Sequence, residues 1–542
     1  MPRRIAALSW LLVVLVGVGV VGLVLGLKLP NRLNAGQRVI NDLHPAFTPA
    51  RVAGDRAGVN IASNITNLAD PIVNPKGGAA AEIPQLLAFV SSKTGLSQPA
   101  VLDLLTKSFP HTTALLQTIP LSSVSAEIPT LLNLLASTLH MTQAQVLAAL
   151  KANFPALTQA ITALPIVTGG WDNVPGTAGL TRFDGTPVHS VPQVRDYFSA
   201  DVIPVLEHHQ TDFGRLDTYQ PPVHTIPTIL LVIAGIVILF GLLMMLRSAG
   251  GKVKVGEATV EWLVVLLVGV IVLAAVFGLQ IYPRLDGGQH LLRDAAPVFQ
   301  PARVSGSTAG IAMVSSIVDL ADPVVTERGG AAGEVPKLIA FVSSKTGLAP
   351  AAVLSTLQSA VPHVTALLQA IPLSSVTAEV PGLMNLLGIA LKASPAQVMA
   401  ALSANFPHLA QAITALPVVT NGWYTVPGVG GLTRFDGKAV HTVPDVRDYF
   451  ARDVIPAVVK AAPDFHKLYP VKEVSSTTVR NGATVTTTKL VNQSEPLDFF
   501  PGLLTIVGGL VVIYGIIMLI VIHLPDPEVE MAERRDVQRR RR

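Results

Sequence analysis

The sequence predicts a mainly α-helical membrane protein with four transmembrane helices, a tandem duplication of the unit span, exported helical domain, span. Three observations carry this. Half the residues are apolar and only 14% are charged, against roughly 25% in an ordinary soluble protein. Four stretches, 5–27, 226–246, 261–281 and 499–524, offer the run of about 20 apolar residues that a helix needs to cross a bilayer. Shifted by 252 positions, the chain falls on itself without a gap. Across residues 77–207, 86 of 131 positions are identical in the second half, so each half is expected to carry its own fold and its own relation to the membrane.

The elements follow in order. Residues 1–4 carry Arg3 and Arg4 ahead of the first span, 5–27. That span has the flanks of a signal peptide, but its repeat partner around Trp262 is internal, where no signal peptide acts, so an uncleaved anchor is expected. An exported domain, 28–225, leads to the second span, 226–246. The short loop 247–260 holds Arg247, Lys252 and Lys254. The third span, 261–281, the second exported domain, 282–498, and the fourth span, 499–524, precede a basic tail, 525–542, that ends in four arginines. Lys and Arg concentrate in short cytoplasmic loops, which places both termini and the loop in the cytoplasm and both large domains outside. Lys28, Arg32 and Arg38 run against this pattern. The tail reads as a topology anchor, with anionic lipid headgroups as its alternative partner.

No span has Asp, Glu, Lys or Arg in its interior, and ion-coupled transporters need such groups near the midplane. Gly22 and Gly26 in the first span match Ala274 and Gly278 in the third, as Gly17 matches Gly269. Small residues four apart predict a helix-packing seam.

Within each exported domain a second repeat is nested. Ala81-Glu82-Ile83-Pro84 returns 45 residues later as Ala126-Glu127-Ile128-Pro129, and the second half repeats the spacing at Glu334 and Glu379. This gives four modules, 81–125, 126–170, 333–377 and 378–422, and a period of this size predicts stacked helical units. Each module reads as three helices. In the second module Ser125 is placed to cap the first helix, with Glu127 near its positive end and Pro129 in its first turn. Thr142 with Gln145, and Ser394 with Pro395 and Gln397, predict capping boxes for the second helix. Pro155 opens a third that stops at Pro165. Residues 83–165 hold only five charges, Lys93, Asp103, Lys107, Glu127 and Lys151, so these helices are expected to pack against something rather than stand in water.

After the modules, 170–191 reads as a loop and small β-hairpin with a tight turn at Asp184-Gly185. An amphipathic helix follows over 192–205. The second half adds a strand pair, 475–491, around Asn481-Gly482.

The chain contains no cysteine, which excludes disulfides, thiolate chemistry and Cys-type zinc sites. The strongest polar constellation is Trp171, Arg182, Asp184 and His189 with Arg195 and Asp196, matched by Trp423, Arg434, Asp436 and His441. His beside Asp has the makings of a base and its orienter, and Arg those of an anion clamp. No nucleophile stands at a recognisable spacing, and the expected role is a polar knot pinning the hairpin to the final helix. His208-His209 has no metal-site spacing. No cofactor fingerprint and no nucleic-acid signature is present, and neither metal nor cofactor is expected. The sequence thus points to a non-catalytic membrane protein of the bacterial cell envelope, whose partners are membrane lipids, a second copy, or another envelope protein. The alternatives are an accessory subunit of an envelope transport or lipid-handling system, and a membrane-anchored enzyme using His189, Arg182 and Asp184.

Overall fold

The computed structural model describes residues 3–73, 78–218, 221–250, 255–278, 280–325, 330–480, 483–493, 497 and 499–523. Helices dominate, accompanied by one two-stranded antiparallel sheet. The chain divides into two compact units: Met1–Phe47 with His208–Phe299 and Val459–Arg542, and Thr48–Glu207 with Gln300–Val458. Among the described residues six helices are long and apolar enough to cross a membrane. Ser9–Gly26, Val223–Arg247, Thr259–Gly278 and Phe499–His523 lie in the first unit, Pro301–Val325 and Leu373–Leu391 in the second.

In the first unit, helix Arg3–Gly26 runs along Ile226–Gly250, and Val255–Gly278 along Phe499–His523. Glycine makes both contacts close. A Cβ on Gly17 would stand 2.6 Å from Ile238, one on Gly241 2.8 Å from Val14, and one on Gly269 2.8 Å from Val512. The seam expected at Gly22, Gly26, Ala274 and Gly278 is not where the helices meet: nothing lies within 4 Å of a Cβ at those three glycines, and Ala274 is exposed. Helical rotation explains this. Trp10, Val13, Gly17 and Val24 fall on one buried stripe, whereas Gly22 lies about 140° around the helix from Gly17. The two helix pairs are joined by Trp10 and Trp262, stacked 4.4 Å apart. In the same unit Val471–Arg480 pairs with Ala483–Asn492, and Arg480 opposes Ala483. These strands are longer than the sequence suggested, and the Asn481-Gly482 turn lies outside the described residues.

The second unit contains the modules. Its first-half helices are Pro49–Val73, Ala79–Thr94, Gln98–Ser108, Pro110–Thr118, Leu121–Leu139, Gln143–Asn153 and Pro155–Gly170. Helix Val191–Asp196 then continues through a π-helical turn, Tyr197–Val202, into Ile203–Thr218, of which the residues up to Glu207 belong to this unit. Seven of the second-half helices in this unit start at 301, 331, 350, 362, 373, 395 and 407, and Val443–Tyr449 follows, continuing through a π-helical turn, Phe450–Val454, into the helix that begins at Ile455. The capping boxes at Thr142 and Ser394 form as expected. Two boundaries differ. Ser125 caps nothing, because the helix begins at Leu121 and takes Pro129 inside it; Val124 and Ile128, 1% and 7% exposed, extend the buried face upstream. Pro165 does not stop the third helix, which continues to Gly170 as Leu164 and Val167 bury.

The cores of this unit are built from both halves. One joins Val124, Leu131, Leu135 and Leu150 to Leu338, Val342 and Val361. Another joins Val90 and Val101 to Leu383, Met384, Phe406 and Leu409. Four glutamates stitch them. Glu82 accepts the backbone N–H groups of His408 and Leu409 at 3.1 and 2.8 Å, and Glu127 those of His363 and Val364 at 3.3 and 2.9 Å. Glu334 takes Ala156 and Leu157 at 3.2 and 2.8 Å; Glu379 takes His111 and Thr112 at 3.2 and 2.8 Å. Each carboxylate thereby satisfies two orphan donors at the positive end of a proline-led helix. Glu127, expected near the start of its own helix, serves a helix of the opposite half.

Candidate functional site

Helices Pro49–Val73 and Pro301–Val325 position the Thr-Arg-Phe-Asp-Gly hairpins. Each hairpin is a three-residue loop, closed in the first half by the Arg182 N–H donating to the Thr186 carbonyl at 2.8 Å, with Gly185 at φ 89°. Only isolated bridges, Thr181 to Pro187 and Thr433 to Ala439, flank the loops, in place of the expected short strands. Arg303 donates to the Thr181 and Arg182 carbonyls at 2.8 Å each and lies over the Phe183 ring. Arg51 does the same to Thr433, Arg434 and Phe435, at 2.9 Å to both carbonyls. Below these arginines a glycine every fourth residue lets backbone meet side chain. Cβ atoms on Gly54 and Gly58 would stand 2.8 and 2.9 Å from Leu432 and Phe450, and on Gly306 and Gly310 2.7 and 2.8 Å from Leu180 and Val194.

The polar constellation disperses into separate bonds. Arg182 donates to both oxygens of Asp201, at 3.1 and 2.9 Å, and Arg434 to Asp453 at 2.9 and 3.1 Å. Neither arginine pairs with the aspartate expected beside it. Asp184 instead accepts the Thr186 backbone N–H at 2.9 Å, and Asp436 that of Lys438 at 3.1 Å, which holds both carboxyls below their usual range. Trp171 and Trp423, both fully buried, donate to Asp70 and Asp322 at 2.8 and 2.7 Å. Arg195 holds Asp196 and Asn67. His189 and His441 are exposed and bonded through their backbones: their N–H groups donate to Gln193 and Asp445, and their carbonyls accept from the N–H groups of Val174 and Val426. His209, in the first unit, is buried with its ring nitrogens 3.2 and 3.0 Å from Asp212 and Asp294. Among the described residues no group of three or more His, Asp or Glu is arranged to hold a metal ion.

One buried acid remains. Asp55 is 1% exposed, and the group its carboxyl meets is the Tyr449 hydroxyl. Burial pushes its carboxyl up to about 8, against the smaller opposing pull of Tyr449 and Arg51. The residue 252 positions on is Ser307, which faces Tyr197.

The second unit also contains a half-enclosed cavity of about 380 Å³. It is walled by helices Ala79–Thr94, Gln98–Ser108 and Pro110–Thr118 of the first half, and Leu373–Leu391 and Pro407–Gly422 of the second. Leu86, Leu105, Phe109, Met384, Leu387 and Ile413 typify the lining. In the first unit a second apolar cavity, also about 380 Å³, lies among the four apolar helices, between Val16, Val237, Val268 and Val511.

Neither cavity was legible from residue types, because their linings read as ordinary core. The glutamate bridges left a signal in the recurring Ala-Glu-Ile-Pro, as did the docking glycines in Gly54-x-x-x-Gly58 and its copy at Gly306 and Gly310. No protein-family model matches the chain, and no curated protein or solved structure is significantly similar to it.

Proposed function

We propose that the chain is a four-span protein of the bacterial plasma membrane, a tandem duplication whose two halves form one exported, non-catalytic helical body that binds apolar partners, lipid or protein. One observation carries this reading: Arg182, Arg434, Trp171 and Trp423 are spent on bonds to Asp201, Asp453, Asp70 and Asp322, while the half-enclosed space of the body is lined almost wholly by hydrocarbon. Four spans are favoured over six because Pro301–Val325 and Leu373–Leu391 share cores with weakly apolar helices too short to cross. The basic loop at Arg247 and the basic tail support a cytoplasmic side for both termini. Two of the three cations that ran against this pattern are tied: Arg38 pairs with Asp464 at 2.7 Å, and Arg32 is buried against the Leu468 carbonyl.

The test is twofold. A single cysteine at Ser91 or Ser343, in a chain with no others, reacts with an impermeant maleimide on whole cells, and one at Ser248 does not. Protein purified in detergent or nanodiscs carries bound lipid or a stoichiometric protein partner in native mass spectrometry. Labelling at Ser248 alone, or a chain that is monomeric, partner-free and lipid-free, overturns the reading.

A further inference from the structure

We propose that the cavity between helices Ala79–Thr94, Gln98–Ser108 and Pro110–Thr118 and the opposing pair Leu373–Leu391 and Pro407–Gly422 holds one hydrocarbon chain of a membrane lipid, an assignment that rests on the membrane-anchored reading above.

The chemistry of the walls selects the occupant. The lining has few polar side chains, and two of its threonines are engaged: the Thr94 hydroxyl donates to the Val90 carbonyl at 2.8 Å, and the Thr112 hydroxyl to Glu379 at 2.8 Å. A peptide or other polar ligand entering here would strip water from its own donors and acceptors and find few replacements on walls built almost entirely of hydrocarbon. Water is disfavoured for the same reason, since a stable buried water needs two to four polar partners. A hydrocarbon chain loses nothing on entry. The volume, about 380 Å³, is more than twice the roughly 150 Å³ void that takes up benzene and sits at the low end of the roughly 300–1,000 Å³ typical of ligand sites. That suits one chain, with the rest of the lipid outside. Leu96 and Leu104 line it while still 42% and 39% exposed, which marks an apolar mouth.

The opening is specific to one side of the body. Leu86, Leu105 and Phe109 are only partly buried, whereas their counterparts Leu338, Leu357 and Val361 are 7%, 6% and 0% exposed in a closed core. Two substitutions accompany this difference. Phe109 lies against Gly382, whose added Cβ would stand 2.9 Å from the ring; at the positions 252 away the pair is Val361 and Thr130. The same helices therefore pack shut on one side and leave a slot on the other.

Full-length protein purified in detergent is examined by native mass spectrometry, then delipidated and titrated with phospholipids of increasing acyl length. A single phospholipid adduct is expected on the wild type, with affinity rising about fourfold per added methylene until the slot is full. Leu86→Trp and Ala412→Phe, which fill the slot from different helices, should each lose the adduct and weaken binding at least tenfold while keeping or raising Tm. Ile389→Trp, at an exposed position outside the lining, should leave both unchanged. An adduct surviving in both filled variants, a mass corresponding to free fatty acid, or a wild type with no adduct and no chain-length dependence overturns the assignment. Failure of maleimide labelling at Ser91 with the adduct intact would instead remove the topology and leave the cavity's ligand standing.

Discussion

Asp55 shows how far one residue can set the behaviour of this body. Its carboxyl titrates near 8 in the folded chain, against 3.8 for the ordinary group, chiefly because burial penalises the charge. The charged and titratable neighbours that act on it are Arg51 on its own helix and Tyr449 across from it, and both oppose the shift. The folded state thus holds this proton more tightly than the unfolded state. Its contribution to stability is undiminished below pH 4 and is lost as pH rises from about 4 through 8, to a total of several kcal/mol. Asp55→Ser, which copies Ser307, should remove that loss. Its Tm should exceed wild type increasingly from pH 6 to 9 and match it near pH 4; parallel profiles would refute the argument. The bridging glutamates act in the opposite sense, as acceptors without which two backbone donors stand orphaned. Glu334→Ala, at a site 8% exposed, should cost about 2–3 kcal/mol in chemical denaturation, and Glu82→Ala a similar amount. A change below 0.5 kcal/mol in both would mean water replaces the carboxylate. The sequence marked these glutamates as recurring but gave no means to find their acceptor helices, since Glu334 reaches Leu157, 177 residues away.

At the scale of elements, local signals were the most legible. The prolines at 110, 155, 362 and 407 begin helices because a first-turn position needs no N–H, and the capping boxes name their own partners three residues on. Pro129 and Pro165 misled because a buried apolar stripe can carry a helix through a proline when its packing outweighs one lost bond. The Thr-Arg-Phe-Asp-Gly loop was legible as a turn, but its role was not. Its carbonyls are the acceptors for Arg51 and Arg303, which makes it the docking point for a helix from the other half. Gly185→Val should therefore destabilise the body by about 1–3 kcal/mol, since φ 89° is closed to a β-branched residue. His189→Ala, exposed beside it, should leave stability and partner retention within error. A folded His189→Ala protein that loses its partner or an activity would return the constellation to chemistry. Gly306→Leu tests the docking helix itself: its Cβ would meet Leu180 at 2.7 Å, and overpacking of this kind costs about 1–3 kcal/mol. Equal Tm for that variant would show that the two helices part freely.

For the whole molecule, the sequence revealed two similar halves, and the natural expectation was one fold per half. The structure distributes each core of the body over both, because every module offers a glutamate on one helix and needs one at the start of another, and takes it from across the pair. Modules 81–125 and 378–422 exchange glutamates with each other, as do 126–170 and 333–377. A half expressed alone has its cores open and its helix starts bare. Its only ready partner is a second copy of itself, and there the halves have diverged. Pairing two first halves puts Thr130 where Gly382 admits Phe109, and it buries Asp55 twice where the native chain has one Asp55 and one Ser307. Chains 1–252 and 253–542, expressed together with different tags, should therefore purify as a one-to-one pair in preference to either self-pair, and 1–252 alone should be aggregated or a dimer of lower Tm. The readout is the mass distribution of the co-expressed halves. A folded, monomeric 1–252 would mean that its modules satisfy their own glutamates in cis, and the exchange across the halves would then be a consequence of linkage rather than the condition for folding.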